Sequence, residues 1–252
     1  MKKIRLWVCF VFFVVSLAVL WGCSGKQVKK DEDFDAEKFL TKSVTLIDER
    51  NYEDARKLLL EVKNRDTSKK YAPLAQLRIA DSYIKDGDPE HGIEEYRKFL
   101  DLYPDNPKAS YVQYQIAMAY FHQIDGVDRG IGAAKNALKE FNRLKELYPR
   151  NPYREIIALR IEKCNDLLAD GEFYVGQFYF KKESYQAAIV RLENLLRQYP
   201  DYKGADRTLL LLGESYKALR MTDKARELFR TLVDKYPSSQ FAKAAKKYAQ
   251  AK

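Results

Sequence analysis

GESYKALRMTDKARELFRTLVDKYP, residues 213–237, carries six positions whose spacing recurs elsewhere in the chain: Gly213, Tyr216, Ala225, Phe229, Leu232 and Pro237. Gly176, Tyr179, Ala188, Leu192, Leu195 and Pro200 repeat the same offsets, and so do Ala80, Tyr83, Gly92, Tyr96, Phe99 and Pro104. In all three the proline follows the first small residue by 24 positions. Self-similarity at a fixed period points to a repeat architecture. Within each unit the apolar residues return every three or four positions, the spacing of one helix face. Two helices that pack closely need Gly or Ala where they cross and large side chains around that point. The proline then ends the second helix.

These offsets resemble those of a tetratricopeptide repeat. A further unit keeps Ala117, Tyr120, Ala137, Phe141, Leu144 and Pro149, but eight extra residues separate its halves within the Ile124 to Ala134 region, where a loop is expected. The first unit is degenerate: Leu46, Ile47, Tyr52, Ala55, Leu59 and Val62 fit, without a closing proline, and terminal repeats are commonly atypical. After Pro237, Ser238-Ser239 offers a helix cap, and Phe241, Ala244, Ala245 and Tyr248 form a stripe able to cover the open end. The expectation is all-α, with no strand: a right-handed superhelical solenoid of about five tetratricopeptide-type helix pairs plus a C-terminal capping helix. The first helix of each pair would line a concave groove.

The chain begins as an export signal does. Lys2, Lys3 and Arg5 precede an apolar run from Leu6 to Leu20, and Gly22-Cys23 ends it. This layout resembles a bacterial lipobox, which implies that Cys23 is acylated, that residues 1–22 are removed, and that residues 23–33 form a polar tether. An uncleaved transmembrane helix would need about 20 apolar residues. Ser24, beside the anchor, is not the Asp that resembles an inner-membrane retention signal, which favours the periplasmic face of the outer membrane. Loss of Lys2, Lys3 and Arg5 would lower the formal charge from +9 to +6. With Cys9 removed and Cys23 anchored, Cys164 has no intramolecular partner, and it shares a stripe with Ile157, Ile161 and Leu168 that reads as core.

Projecting outward from the small position of each first helix gives Leu74, Leu77 and Ile84 in the second unit and Tyr111, Tyr114, Met118 and Phe121 in the third. An apolar, aromatic groove of this kind suits an extended peptide with large side chains, although each of these residues also fits packing against the neighbouring helix. In the fifth unit the same positions are Arg207, Leu210, Glu214 and Lys217. Arg191, Arg197, Arg226 and Arg230 project outward from second helices, either to dock an acidic partner or simply as a solvated face. Basic and acidic residues are interspersed, so no nucleic-acid stripe forms. His91 and His122 lack companions at metal-ligand spacing, and no phosphate loop or nucleophile elbow is present. No metal, cofactor or catalytic residue is therefore predicted. Glu214-Ser215 resembles the Glu-Ser pair of helical-solenoid transglycosylases, but the repeat already explains its setting and nothing remains to build a desolvated pocket around it.

Beyond the generic repeat, Tyr96-Arg97-Lys98-Phe99-Leu100, the insertion with Asp128-Arg129, Tyr148-Pro149-Arg150-Asn151-Pro152-Tyr153 and Glu172-Phe173-Tyr174-Val175-Gly176 resemble the BamD family, lipoproteins of the outer-membrane β-barrel assembly machinery. The likeness spans about Ala36 to Ala245 and includes the eight-residue insertion. It implies a non-enzymatic scaffold that receives unfolded outer-membrane proteins in its N-terminal repeats, residues 34–149. The C-terminal repeats and cap, residues 150–252, would meet the POTRA domains of an Omp85-type barrel subunit, in company with other assembly lipoproteins. A secretin pilotin or a cell-division and peptidoglycan coordinator would share fold and anchor and differ in partner.

Overall fold

The computed structural model describes residues 34–124 and 126–249. Its described residues form eleven helices and no strand: α1 Ala36–Asp48, α2 Tyr52–Arg65, α3 Ala72–Lys85, α4 Pro89–Leu102, α5 Ala109–His122, α6 Gly126–Leu147, α7 Arg154–Lys181, α8 Tyr185–Gln198, α9 Ala205–Ala218, α10 Thr222–Lys235 and α11 Gln240–Ala249. They make five antiparallel pairs and one terminal helix, a helical-repeat solenoid in which each helix packs mainly on its neighbours in the chain. The signal segment, Cys23 and the tether lie outside the described residues. None of the described helices is long and apolar enough to cross a membrane.

Local chemistry sets the helix ends. The Asp35 carboxylate accepts from the N–H groups of Glu37 and Lys38, and that of Asp88 from the N–H of His91 ahead of Pro89. Second helices stop at the Tyr-Pro pairs: Tyr103, Tyr199 and Tyr236 have ψ of 55°, 71° and 55°, outside the helical range that a following proline disfavours. Pairs 1, 2, 4 and 5 share one three-residue turn whose middle residue is left-handed: Arg50, Gly87, Glu183 and Arg220, with φ between 59° and 84°. Where the helices of a pair cross, the small residue proves necessary. A β-carbon on Gly92 would meet Ile84 at 2.5 Å, on Gly176 Leu192 at 2.6 Å, and on Gly213 Phe229 at 2.6 Å.

The apolar residues gather into successive cores. One joins Leu40, Ile47, Leu59 and Ile79 of pairs 1 and 2. The next holds Tyr96, Phe99 and Ile116. A third holds Phe141, Leu144, Ile157 and Cys164, and the last runs from Ala169 and Phe173 through Phe229 to Ala249. Phe99, Phe141 and Phe229 are fully buried, each contributing about 1.5–3 kcal/mol relative to exposure. Cys164 packs in the third core as its stripe predicts, and burial pushes its thiol pKa up to about 11. Ser239 caps α11, accepting from the Phe241 N–H at 3.1 Å and donating to Asp206 at 2.6 Å. The buried side of α11 is Ala242, Ala245 and Ala249, flanked by Phe241 and Tyr248. Ala244, expected in that stripe, is exposed.

One expectation is corrected. The eight extra residues of pair 3 are helix, not loop: they lengthen α6 to 22 residues, against 14 for α4, about 12 Å more at the α-helical rise. The extension packs, since a β-carbon on Gly171 of α7 would lie 3.0 Å from Ile131. Correspondingly α7 has 28 residues, twice the usual element, and it serves two cores. The core therefore changes hands inside α7, between Cys164 and Ala169.

Candidate functional site

The first helices α3, α5, α7 and α9 place the predicted groove residues. Leu77 is 4% exposed, Met118 8% and Phe121 7%, so these three belong to the cores and cannot line an open groove. Phe121 stands four positions after the small residue Ala117, about 40° from it around the helix, and so faces the second helix of its pair. Phe121 accordingly meets Phe141 of α6 edge-on at 6.1 Å, with Arg160 over its face at 4.5 Å. Ile84, only partly buried, leans on Gly92, and Leu74 packs against the first pair. Tyr111 and Tyr114 remain half-buried, and the Tyr114 ring stacks on Tyr153 at 4.3 Å with 12° between planes. An aromatic surface is thus built from α5 and the start of α7.

A second aromatic surface was not among the predicted residues. Tyr174 and Phe178 stand two residues before and after Gly176, on the side of α7 away from α8, and are 49% and 55% exposed. In pairs 2, 3 and 5 the residue two after the small one is Ser82, Ala119 or Ser215, and all are buried. In pair 1, which has no described pair before it, Thr45 is exposed. Phe178 thus occupies a position that a regular stack covers with the preceding first helix, and the doubled length of α7 leaves it open. The signal was present in the sequence as an aromatic where the other pairs hold Ser, Ala or Thr.

Polar clasps stiffen the middle of the array. Gln76 donates to the Glu95 carboxylate at 2.7 Å and to its carbonyl at 2.9 Å, and Gln113 donates to Glu140 in the same way at 2.8 and 3.3 Å. The equivalent pair in unit 4 is Glu172 with Arg191, 3.4 Å apart, whereas units 1 and 5 place Phe39 with Leu58 and Leu209 with Leu228. Glu140 is almost fully buried and also receives Arg97 at 3.2 Å, linking pair 2 to pair 3. In pair 2, Tyr96 donates to Asp81 at 2.6 Å, and burial raises the Asp81 pKa above its usual value. Toward the C-terminus, Asp170, Tyr202 and Arg207 hydrogen-bond together, with Arg207 4.3 Å over Phe173.

Arg191 and Arg197 are both exposed on α8, and Arg197 bonds Asn194. Arg226 sits 3.4 Å from Asp223, and Arg230 donates to the Ala249 carbonyl. Ser215 donates back to the Leu211 carbonyl at 2.7 Å, so its hydroxyl is engaged with its own helix and not with Glu214. Among the described residues no group of three His, Cys, Asp or Glu side chains could hold a metal ion.

Residues 32–229 match a family model described as an outer membrane lipoprotein, YfiO. Proteins named outer membrane protein assembly factor BamD are similar along most of their length. That of Rickettsia prowazekii is 26% identical over 88% of this chain and 89% of its own. That of Neisseria gonorrhoeae is 26% identical over 96% and 94%, and that of Caulobacter vibrioides 26% over 90% and 76%. Among solved structures, the TPR2AB domain of yeast Sti1 in its pHSP90 complex is 15% identical, covers 85% of this chain and 83% of its own, and has a TM-score of 0.46.

Proposed function

This chain belongs to the YfiO family of outer membrane lipoproteins, and from that membership and its similarity to BamD assembly factors we propose that it is a non-enzymatic scaffold in outer membrane protein assembly. Its N-terminal pairs receive segments of unfolded outer membrane proteins. Its C-terminal pairs dock the POTRA domains of an Omp85-type barrel subunit, with Arg191 and Arg197 on the docking face. Acylated Cys23 holds it to the outer membrane, and other assembly lipoproteins join it there.

The observation that carries this reading is the half-exposed tyrosine surface of Tyr111, Tyr114 and Tyr153 on the first-helix side of the array. Rigid aromatic rings give large contact area at low entropic cost, which suits extended segments rich in aromatic residues. The test is purification from host membranes through a C-terminal tag in mild detergent, which leaves Cys23 free to be acylated. A stoichiometric barrel protein with POTRA domains is expected. Recovery of a secretin or a peptidoglycan synthase in its place would overturn the reading and leave the fold standing.

A further inference from the structure

The net charge of the molecule is concentrated at one end. Residues 217–249 hold nine Lys and Arg against three Asp and Glu, whereas residues 34–216 hold 29 against 30. The folded array is thus close to neutral except for its last turn, α10 and α11.

At that end the turn between α9 and α10 departs from its counterparts. All four three-residue turns share one backbone form, with Arg50, Gly87, Glu183 and Arg220 left-handed. The residues flanking the left-handed one are Glu49 and Asn51, Asp86 and Asp88, and Lys182 and Ser184, but in the last turn they are Leu219 and Met221. The turn itself therefore does not require apolar flanks. Leu219 is 38% exposed and Met221 41%, so burial does not account for them either.

Around this apolar tip stand cations and one exposed carboxylate, Asp223, which pairs with Arg226 at 3.4 Å. Arg220 is exposed between the two, and Lys217 and Lys224 are exposed on either side of the turn. A small cavity of about 130 Å³ opens next to it, lined by Lys217, Thr222, Ala225, Arg226, Phe229 and Tyr248. Lys217 lies 3.8 Å from the centre of the Tyr248 ring and Lys247 4.7 Å from it. An amphipathic ring is thereby held between two ammonium groups at the mouth of the cavity.

We propose that the turn Leu219-Arg220-Met221, with the basic cavity beside it, is a docking point for the surface of a bilayer containing anionic phospholipid. Leu219 and Met221 would enter the boundary between headgroups and acyl chains, and Lys217, Arg226 and the Thr222 hydroxyl would meet a headgroup phosphate. Apolar area together with clustered cations is the combination that binds an anionic membrane interface. Protruding apolar side chains encircled by flexible cations fit a fluid headgroup layer better than the complementary face of a folded acidic protein. This contact lies at the opposite end of the array from α1, away from the aromatic surface around Tyr114 and from Arg191 and Arg197 on α8.

The test uses residues 24–252, which contain every core described above and lack Cys23, with vesicles of phosphatidylcholine alone or with one third phosphatidylglycerol. Both tryptophans, Trp7 and Trp21, are absent from this piece, so Met221→Trp reports from the tip alone. The expected results are sedimentation with the anionic vesicles only, weakening with salt, and a blue shift of that tryptophan on the same vesicles. Lys217→Gln and Arg226→Gln should each weaken binding about five-fold, the equivalent of about 1 kcal/mol per cation. Leu219→Ser with Met221→Ser should weaken it at unchanged charge, and Lys98→Gln on α4 should leave it unchanged. Equal binding to neutral vesicles, no blue shift, or the same loss from Lys98→Gln would overturn the proposal. Capture of an acidic protein at this face without vesicle binding would do so as well.

Discussion

A β-carbon on Gly213 would sit 2.6 Å from Phe229, a ring that is fully buried and has nowhere to go. Gly213→Ala is therefore expected to destabilise by about 1–3 kcal/mol through overpacking, seen as a lower thermal midpoint. Gly132, inside α6, has nothing within 4 Å of the same position, so Gly132→Ala should stabilise by about 0.5–1 kcal/mol in the same assay. Asp81 gives a prediction in pH. Its folded pKa is raised, chiefly by burial, so between the unfolded and folded values the native state binds the proton more tightly. The stability it contributes is full below the unfolded value near 3.8 and is lost as pH rises through the folded one. Asp81→Asn, which keeps an acceptor for Tyr96, should have the higher midpoint at pH 7, and the gap should close toward acid pH. A gap that widens on acidification would show that the pairing with Arg78 at 3.8 Å outweighs burial. The crossing glycines were legible in the sequence because they recur at a fixed offset. The state of Asp81 was not, because it depends on Tyr96, 15 residues away.

At the scale of the element, α7 sets the organisation of the molecule. Its 28 residues span about 42 Å, and its two halves belong to different cores. A proline at Ala169 removes a helical hydrogen bond and clashes with the preceding turn, at a cost of about 3 kcal/mol or more. Because the break falls where the core changes hands, Ala169→Pro should split one cooperative thermal transition into two. A single transition at a lower midpoint would show that the two blocks remain coupled through α6 and α8. The insertion in pair 3 was countable from the sequence, but its conformation was not. Eight residues exceed a short turn and also complete about two helical turns, and only contact with α7, through Ile131 on Gly171, makes the helical choice favourable.

At the scale of the molecule, two aromatic surfaces are open among the described residues, one around Tyr114 and Tyr153 and one around Tyr174 and Phe178. If the first is the substrate groove, Tyr111→Ala with Tyr114→Ala should lower photo-crosslinking of unfolded outer membrane protein segments about 30-fold or more, since a single aromatic anchor carries about 2 kcal/mol. The thermal midpoint should change less than for Phe121→Ala, which empties a core position and should cost about 3–5 kcal/mol. Crosslinking that persists in the double variant and is lost with Phe178→Ala would move the groove to α7.

Composition and period were enough to fix the helix pairs, their order, their crossing residues and the terminal cap. Each of those follows from chemistry within one 25-residue unit: a small residue at a crossing, a proline after a helix, a serine before one. What the tertiary structure decided lies between units. Leu77, Met118 and Phe121 are apolar residues on first helices, as is Leu74, and nothing local separates those that pack inward from those that stay open. Exposure depends on which neighbour covers each position, and that depends on the length of α7. The same holds for Phe178, left open by the offset between the two stacks, and for Leu219 and Met221, whose exposure is visible only once the end of the array is built.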